Sequence, residues 1–146
     1  QRAWGVSQMV LVAADISAGS LSNMMSFSMR QKAQRVTNYY SKFDVALATS
    51  NVKRFASSPR AGRHGAPEEM LGDIADVDCS DRWLALKESL PGGFDKIGQT
   101  HTWYFQDKQV FYKDLAATLS GEIDRTRIPT REPQAGGAGR LRLKPK

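Results

Sequence analysis

The chain has 146 residues, of which 40% are hydrophobic, and this is enough for one ordinary core. No stretch approaches the roughly 20 apolar residues that cross a bilayer. The formal charge is +6, but seven of the 21 basic residues and one of the 15 acidic residues lie from Arg125 onward. The rest of the chain is therefore neutral, and its charge gives no indication of a nucleic-acid-binding surface.

The first third of the chain predicts a strand, a helix and a second strand. Residues 8–14 (QMVLVAA) are a continuous apolar run, which is typical of a strand buried on both faces of a parallel sheet. From about Ser20, the expected N-cap, to Lys32, apolar residues recur at helical spacing and predict a helix. Its methionines are expected to pack in the core rather than to line a lipid or cofactor surface. Residues 35–40 predict the second strand.

Asp44 follows this second strand and precedes a helical pattern that ends near residue 58. In open α/β sheets, functional groups collect at the carboxyl ends of the strands, because the following loop is free to aim a side chain. Asp44 is therefore the first candidate for a catalytic acid.

The middle of the chain predicts a loop and a third strand. Residues 59–72 (PRAGRHGAPEEMLG) are rich in Gly and Pro, and we expect a solvated loop, although its arginines could instead bind an anion. His64, in this loop, is expected at the surface. Residues 73–79 alternate and predict the third strand, with the single cysteine, Cys79, as a buried and inert thiol. A terminal helix is expected to end at Gly121.

Strands and helices thus alternate, which predicts an α/β fold with a mostly parallel sheet. About three strands would leave unpaired edges, so we expect the sheet to be incomplete and to continue on its N-terminal side. Residues 1–124 form the predicted domain. Residues 125–146 are rich in Pro, Gly and Arg and predict a disordered basic tail, for which a solvated terminus is favoured over an anion-binding role.

The chain contains two histidines, and His101 is the better candidate for a general base. It follows the third strand after an insertion, 57 residues beyond Asp44. An acid and a base that follow successive strands can meet at one edge of the sheet, where the carboxylate would orient the imidazole. The alternative is that His101 only caps the final helix.

The sequence resembles the C-terminal half of an alpha/beta-hydrolase, in particular an esterase/lipase-like bacterial branch with largely unassigned substrates. The segments that carry the resemblance span roughly residues 8–121 and read VLVAADIS, RVTNYYSKFDVAL, RAGRHG, DIADVDCSD, THTWYF and KDLAATLSG. The resemblance implies that Asp44 is the catalytic acid, after the penultimate strand, and that His101 is the catalytic histidine, after the last strand.

The chain departs from this family in one respect. The family's nucleophile lies in a Gly-x-Ser-x-Gly turn, and no such motif occurs here, since the nearest approach, Gly5-Val6-Ser7-Gln8-Met9, lacks the second Gly. The nucleophile and the oxyanion hole are therefore expected upstream of Gln1. No phosphate-binding motif and no calcium-loop template is present, so neither a cofactor nor a metal is expected.

Two hypotheses follow from the sequence. The first is a partial serine hydrolase that supplies the acid and the histidine of a Ser-His-Asp triad for a small-molecule ester or acyl substrate. The missing N-terminal half of the domain would be its partner, and this hypothesis predicts that Asp44 and His101 lie within hydrogen-bond reach. The alternative is a non-enzymatic α/β interaction module that uses its basic tail to bind an anionic partner.

Overall fold

The computed structural model describes residues 5–53, 58–91, 96–137 and 139–146. It contains a five-stranded, mostly parallel, open sheet with flanking helices, which confirms the predicted α/β class. The strands are β1 (Val6–Val12), β2 (Ala33–Tyr40), β3 (Ile74–Asp78), β4 (Arg131–Pro133) and β5 (Leu141–Leu143).

The strand order is β1-β2-β3-β5-β4. β1, β2, β3 and β5 are parallel, and β4 is antiparallel to β5. Val12 lies opposite Tyr39, and Tyr40 lies opposite Asp78, so the carboxyl ends of the first three strands meet at one edge. Within the described ranges, no strand pairs with the outer edge of β1.

Helices cover both faces of this sheet. One apolar cluster packs Leu21, Met25 and Met29 against Val36 and Ile74. The other cluster packs the aromatic side chains of the second half of the chain against Tyr39 and Val77. The helices are α1 (Ala18–Met24), which continues through a π-helical turn (Met25–Met29) into α2 (Arg30–Lys32), then α3 (Val45–Lys53), α4 (Ala61–His64), α5 (Ser80–Leu86), α6 (Lys96–Thr102) and α7 (Phe111–Ser120).

Element boundaries differ from the predictions for local reasons. β1 ends two residues early because Ala13 adopts a positive φ of 48°, which interrupts the extended backbone. The N-cap of α1 is Ser17 rather than Ser20, since the Ser17 hydroxyl accepts a hydrogen bond from the Ser20 N–H at 3.1 Å. α3 is described as far as Lys53, and residues 54–57, which lead to its predicted end near residue 58, lie outside the described residues. α7 ends at Gly121 with a left-handed φ of 69°, as predicted.

The prediction of a disordered tail over residues 125–146 is wrong for the part of this segment that the structure describes. Its residues form β4 and β5, and β5 pairs with β3 near the middle of the sheet. Composition suggested disorder because arginine is usually exposed, but the side chain of Arg131 is fully buried in an ion pair with Asp114. Among the described helices, none has the length and apolar character needed to cross a membrane.

Candidate functional site

The candidate site lies at the carboxyl edge of the sheet, immediately beyond β2. Asp44 follows Tyr40 by four residues and stands directly before α3, and it is fully buried at 0% exposure. It acts as the N-cap of this helix, because its Oδ1 accepts a hydrogen bond from the Leu47 N–H at 2.9 Å. The strand and the helix together therefore fix both the backbone and the carboxylate.

His101 reaches this carboxylate from α6. Its Nδ1 lies 2.8 Å from Oδ2 of Asp44, so the two oxygens of Asp44 serve different partners. The side chain of His101 is 36% exposed, whereas that of Asp44 is not exposed at all. The prediction that this acid and this histidine lie within hydrogen-bond reach is confirmed.

The geometry also fixes the expected proton positions. An ionised Asp44 only accepts hydrogen bonds, so Nδ1 of a neutral His101 carries the proton and Nε2 keeps a lone pair. Among the described residues, Nε2 makes no hydrogen bond. The alternative role, a cap on the final helix, is filled by Asp107, whose carboxylate accepts from the Val110 and Phe111 N–H groups.

The loop that carries RAGRHG packs across the ends of β1 and β2. The Gly62 N–H donates to the Ala14 carbonyl at 3.0 Å, and the Ser41 N–H donates to the Gly62 carbonyl at 3.1 Å. Arg60 is only 5% exposed, with its Nε 3.2 Å from Oδ1 of Asp15. The expectation of a wholly solvated loop is therefore wrong, although His64 is exposed as predicted.

Arg63 connects this loop to the candidate acid. Its Nη1 donates a hydrogen bond of 2.6 Å to the main-chain carbonyl of Asp44. The sequence reasoning considered the arginines of this loop only as anion ligands. Arginine spacing carries no signal for a bond to a backbone carbonyl 19 residues away.

Thr100 is a second residue that the sequence reasoning did not identify. Its Oγ1 accepts a hydrogen bond of 3.0 Å from the Val45 N–H, at the first residue of α3. The one available signal was its position directly before the candidate histidine.

The single cysteine and the clustered aspartates have structural roles. Cys79 is fully buried, as predicted, and burial raises the pKa of its thiol well above the usual value, which favours an unreactive thiol. The clustered aspartates each have partners of their own, and no group of metal-binding side chains within the described ranges could hold an ion. These partners are Arg30 for Asp73, Arg140 for Asp76, the Ser80 N–H for Asp78 and Arg142 for Asp81.

Comparisons with known proteins add no assignment. No protein-family model matches the chain, and no curated protein or solved structure matches it either. The resemblance to alpha/beta-hydrolases therefore stays a prediction from the sequence.

Proposed function

We propose that this chain supplies the acid and the base of a serine hydrolase that cleaves a small-molecule ester or related acyl substrate. The observation that carries the proposal is the 2.8 Å contact between Nδ1 of His101 and Oδ2 of Asp44. In this proposal the serine nucleophile and the oxyanion hole come from polypeptide outside residues 1–146, because the sequence contains no Gly-x-Ser-x-Gly turn.

The difference in burial between the two side chains supports these roles. Asp44 is shielded from water and held by the Leu47 N–H, so its carboxylate keeps one orientation toward the imidazole. His101 is partly exposed, so its Nε2 is accessible to a hydroxyl group of another segment. A buried orienting carboxylate and an accessible base are what a Ser-His-Asp triad requires.

In the proposed reaction, Nε2 of His101 takes the proton from the serine hydroxyl as its oxygen attacks the carbonyl carbon of the ester. Asp44 stabilises the resulting imidazolium without taking the proton itself. Nε2 then protonates the alcohol oxygen as the carbon–oxygen bond breaks, which leaves an acyl-serine. The same nitrogen then deprotonates a water molecule as its oxygen attacks the acyl carbon, and the imidazolium returns this proton to the serine oxygen as the acyl–serine bond breaks and the acid leaves.

The edge of β1, beside which the described residues place no strand, supports an N-terminal location for the rest of the proposed domain. β1 is seven residues long, and Met9 and Leu11 pack into one apolar cluster while Val10 and Val12 pack into the other. A strand with apolar side chains on both faces is typical of the interior of a parallel sheet, which favours another strand beside β1.

The alternative hypothesis, an interaction module with a free basic tail, loses its main argument. Three of the seven basic residues of this segment are engaged in ion pairs within the chain, since Arg131 pairs with Asp114, Arg140 with Asp76, and Arg142 with Asp81 and Glu132.

The test is an esterase assay on this chain joined to the polypeptide encoded upstream of it. Hydrolysis of p-nitrophenyl esters of several acyl lengths is expected, with kcat/KM lowered at least roughly 10³-fold by Asp44→Asn and by His101→Ala. His64→Ala, which changes the other, exposed histidine, is the matched control and should keep full activity. Activity that survives both substitutions at the pair would overturn the proposal.

A further inference from the structure

Two neighbouring hydrogen bonds join α6 to the start of α3. One links His101 to Asp44, and the other links the residue before the histidine, Thr100, to the residue after the aspartate, Val45. The second bond therefore lies directly beside the first, and it connects the same two segments of the chain.

The Thr100 hydroxyl is oriented for this contact. It donates its own proton to the Ile97 carbonyl at 2.7 Å, which leaves a lone pair to accept the Val45 N–H at 3.0 Å. Val45 is the first residue of α3, and the N–H groups of a first helical turn have no partner within their own helix. Thr100 thus satisfies, from another helix, a donor that a helix terminus leaves open.

The side chains of α6 itself are packed only weakly, whereas Trp103 and Tyr104, which directly follow the helix, are fully buried. No described side chain of this helix is buried, and Ile97 is 52% exposed. Two further side-chain bonds are described for α6, since Thr102 donates to the Gly98 carbonyl within the helix and Gln99 donates to the Pro91 carbonyl in the preceding segment. On the side that faces Asp44, α6 is held to the start of α3 by the two bonds from His101 and Thr100.

We propose that Thr100 is a positioning residue for His101. By fixing α6 to the main chain at Val45, it keeps the imidazole at hydrogen-bond distance from Asp44 and aims Nε2 away from the sheet. This role rests on the proposed function for its catalytic meaning, whereas the positioning itself is a property of the chain that can be measured without activity.

The test removes the hydrogen bond between the Val45 N–H and the Thr100 hydroxyl, first by changing the acceptor and then by changing the donor. The Nδ1–H of the His101 imidazole is observed by ¹⁵N-resolved NMR. Thr100→Val deletes the acceptor, and Val45→Pro deletes the donor at the first helical position, where proline is well tolerated. Each is expected to speed exchange of the Nδ1 proton with water by roughly fivefold, the size set by one ordinary hydrogen bond. Thr100→Ser keeps the hydroxyl and should restore slow exchange.

Thr102→Val is the matched control, because it makes the same substitution in the same helix but removes only a bond within α6. The proposal is overturned if Thr100→Val and Val45→Pro both leave the exchange rate within twofold of the unchanged chain, or if Thr102→Val accelerates it equally. Asp44→Asn serves as the reference for loss of the carboxylate.

The esterase activity of the chain joined to its upstream polypeptide gives a separate readout. There, Thr100→Val should lower kcat with KM unchanged, and Thr100→Ser should recover it. If no ester is cleaved by the unchanged protein, the proposed function fails, while the exchange measurement still decides whether Thr100 positions His101.

Discussion

Asp76 carries a carboxylate in the interior of the sheet, where it is only 1% exposed. Its Oδ1 accepts from the Asn38 side chain at 2.8 Å and from the Ala66 N–H at 3.1 Å, and its Oδ2 accepts from Arg140 at 2.8 Å. Burial is the strongest influence and raises the pKa of Asp76 from 3.8 to about 6, against the opposing effect of these donors.

We expect the Asp76 carboxyl to titrate with a midpoint near pH 6 in a ¹³C NMR titration. The folded chain then binds this proton more tightly than the unfolded chain does. The contribution of Asp76 to the free energy of unfolding is therefore largest below pH 4, falls as the pH rises from about 4 to about 6, and is constant above that. Asp124, whose pKa is lowered by hydrogen bonds from Thr126, is the internal reference. A midpoint for Asp76 at or below that of Asp124 would contradict this assignment.

At the candidate site, the sequence predicted the contact between Asp44 and His101 but not the residues around it. Asp44 and His101 could be found because a strand precedes each of them and the carboxyl ends of parallel strands meet at one edge. Arg63 and Thr100 bind main-chain groups, and a contact of this kind depends on three-dimensional proximity rather than on any local pattern.

At the scale of elements, α4 shows how closely the loop after α3 fits the end of β1. A Cβ atom at Gly62 would lie 2.3 Å from the Ala13 carbonyl carbon and from the Ala14 nitrogen, so only glycine fits at this position. α4 also carries Arg63, which holds the Asp44 carbonyl, so its seating against β1 affects the candidate site.

We expect Gly62→Ala and Gly19→Ala to have effects of opposite sign on the free energy of unfolding. Gly62→Ala forces backbone apart and should cost about 1–3 kcal/mol, as overpacking does. Gly19 is helical with open space around it, so Gly19→Ala should stabilise the chain by about 0.5 kcal/mol. Urea unfolding followed by circular dichroism measures both. Equal effects of the two variants would show that α4 does not pack closely against β1.

β1, β2 and β3 were predictable because most of their residues are apolar, β-branched or aromatic. β4 and β5 were not, since each has three residues and β4 contains a proline. Such short strands carry no periodicity, and they form because distant partners satisfy their polar side chains.

At the scale of the whole molecule, Arg131 joins the C-terminal segment to the core. Its guanidinium pairs with Asp114 in α7 and also donates to the Tyr39 hydroxyl in β2 and to Thr118. The side chains of Arg131 and Asp114 are both 0% exposed. Composition could not show this, because the counter-ion lies 17 residues away in another element.

We expect Arg131→Met to lower the free energy of unfolding by about 3–5 kcal/mol, because it leaves the Asp114 carboxylate buried without a counter-ion. Arg127→Met, at an exposed position in the same segment, should change it by less than about 0.5 kcal/mol. Thermal and urea unfolding of both variants provides the measurement. If residues 125–146 were disordered, the two substitutions would change the free energy of unfolding equally little.

The burial of Cys79 gives the chain an internal reporter. It is the only thiol in the sequence, it lies directly after β3, and it is 0% exposed within the aromatic cluster. A reagent that modifies thiols can reach it only when the centre of the sheet opens. The rate of labelling therefore records how often the interior of this domain is transiently exposed to solvent, without an introduced probe.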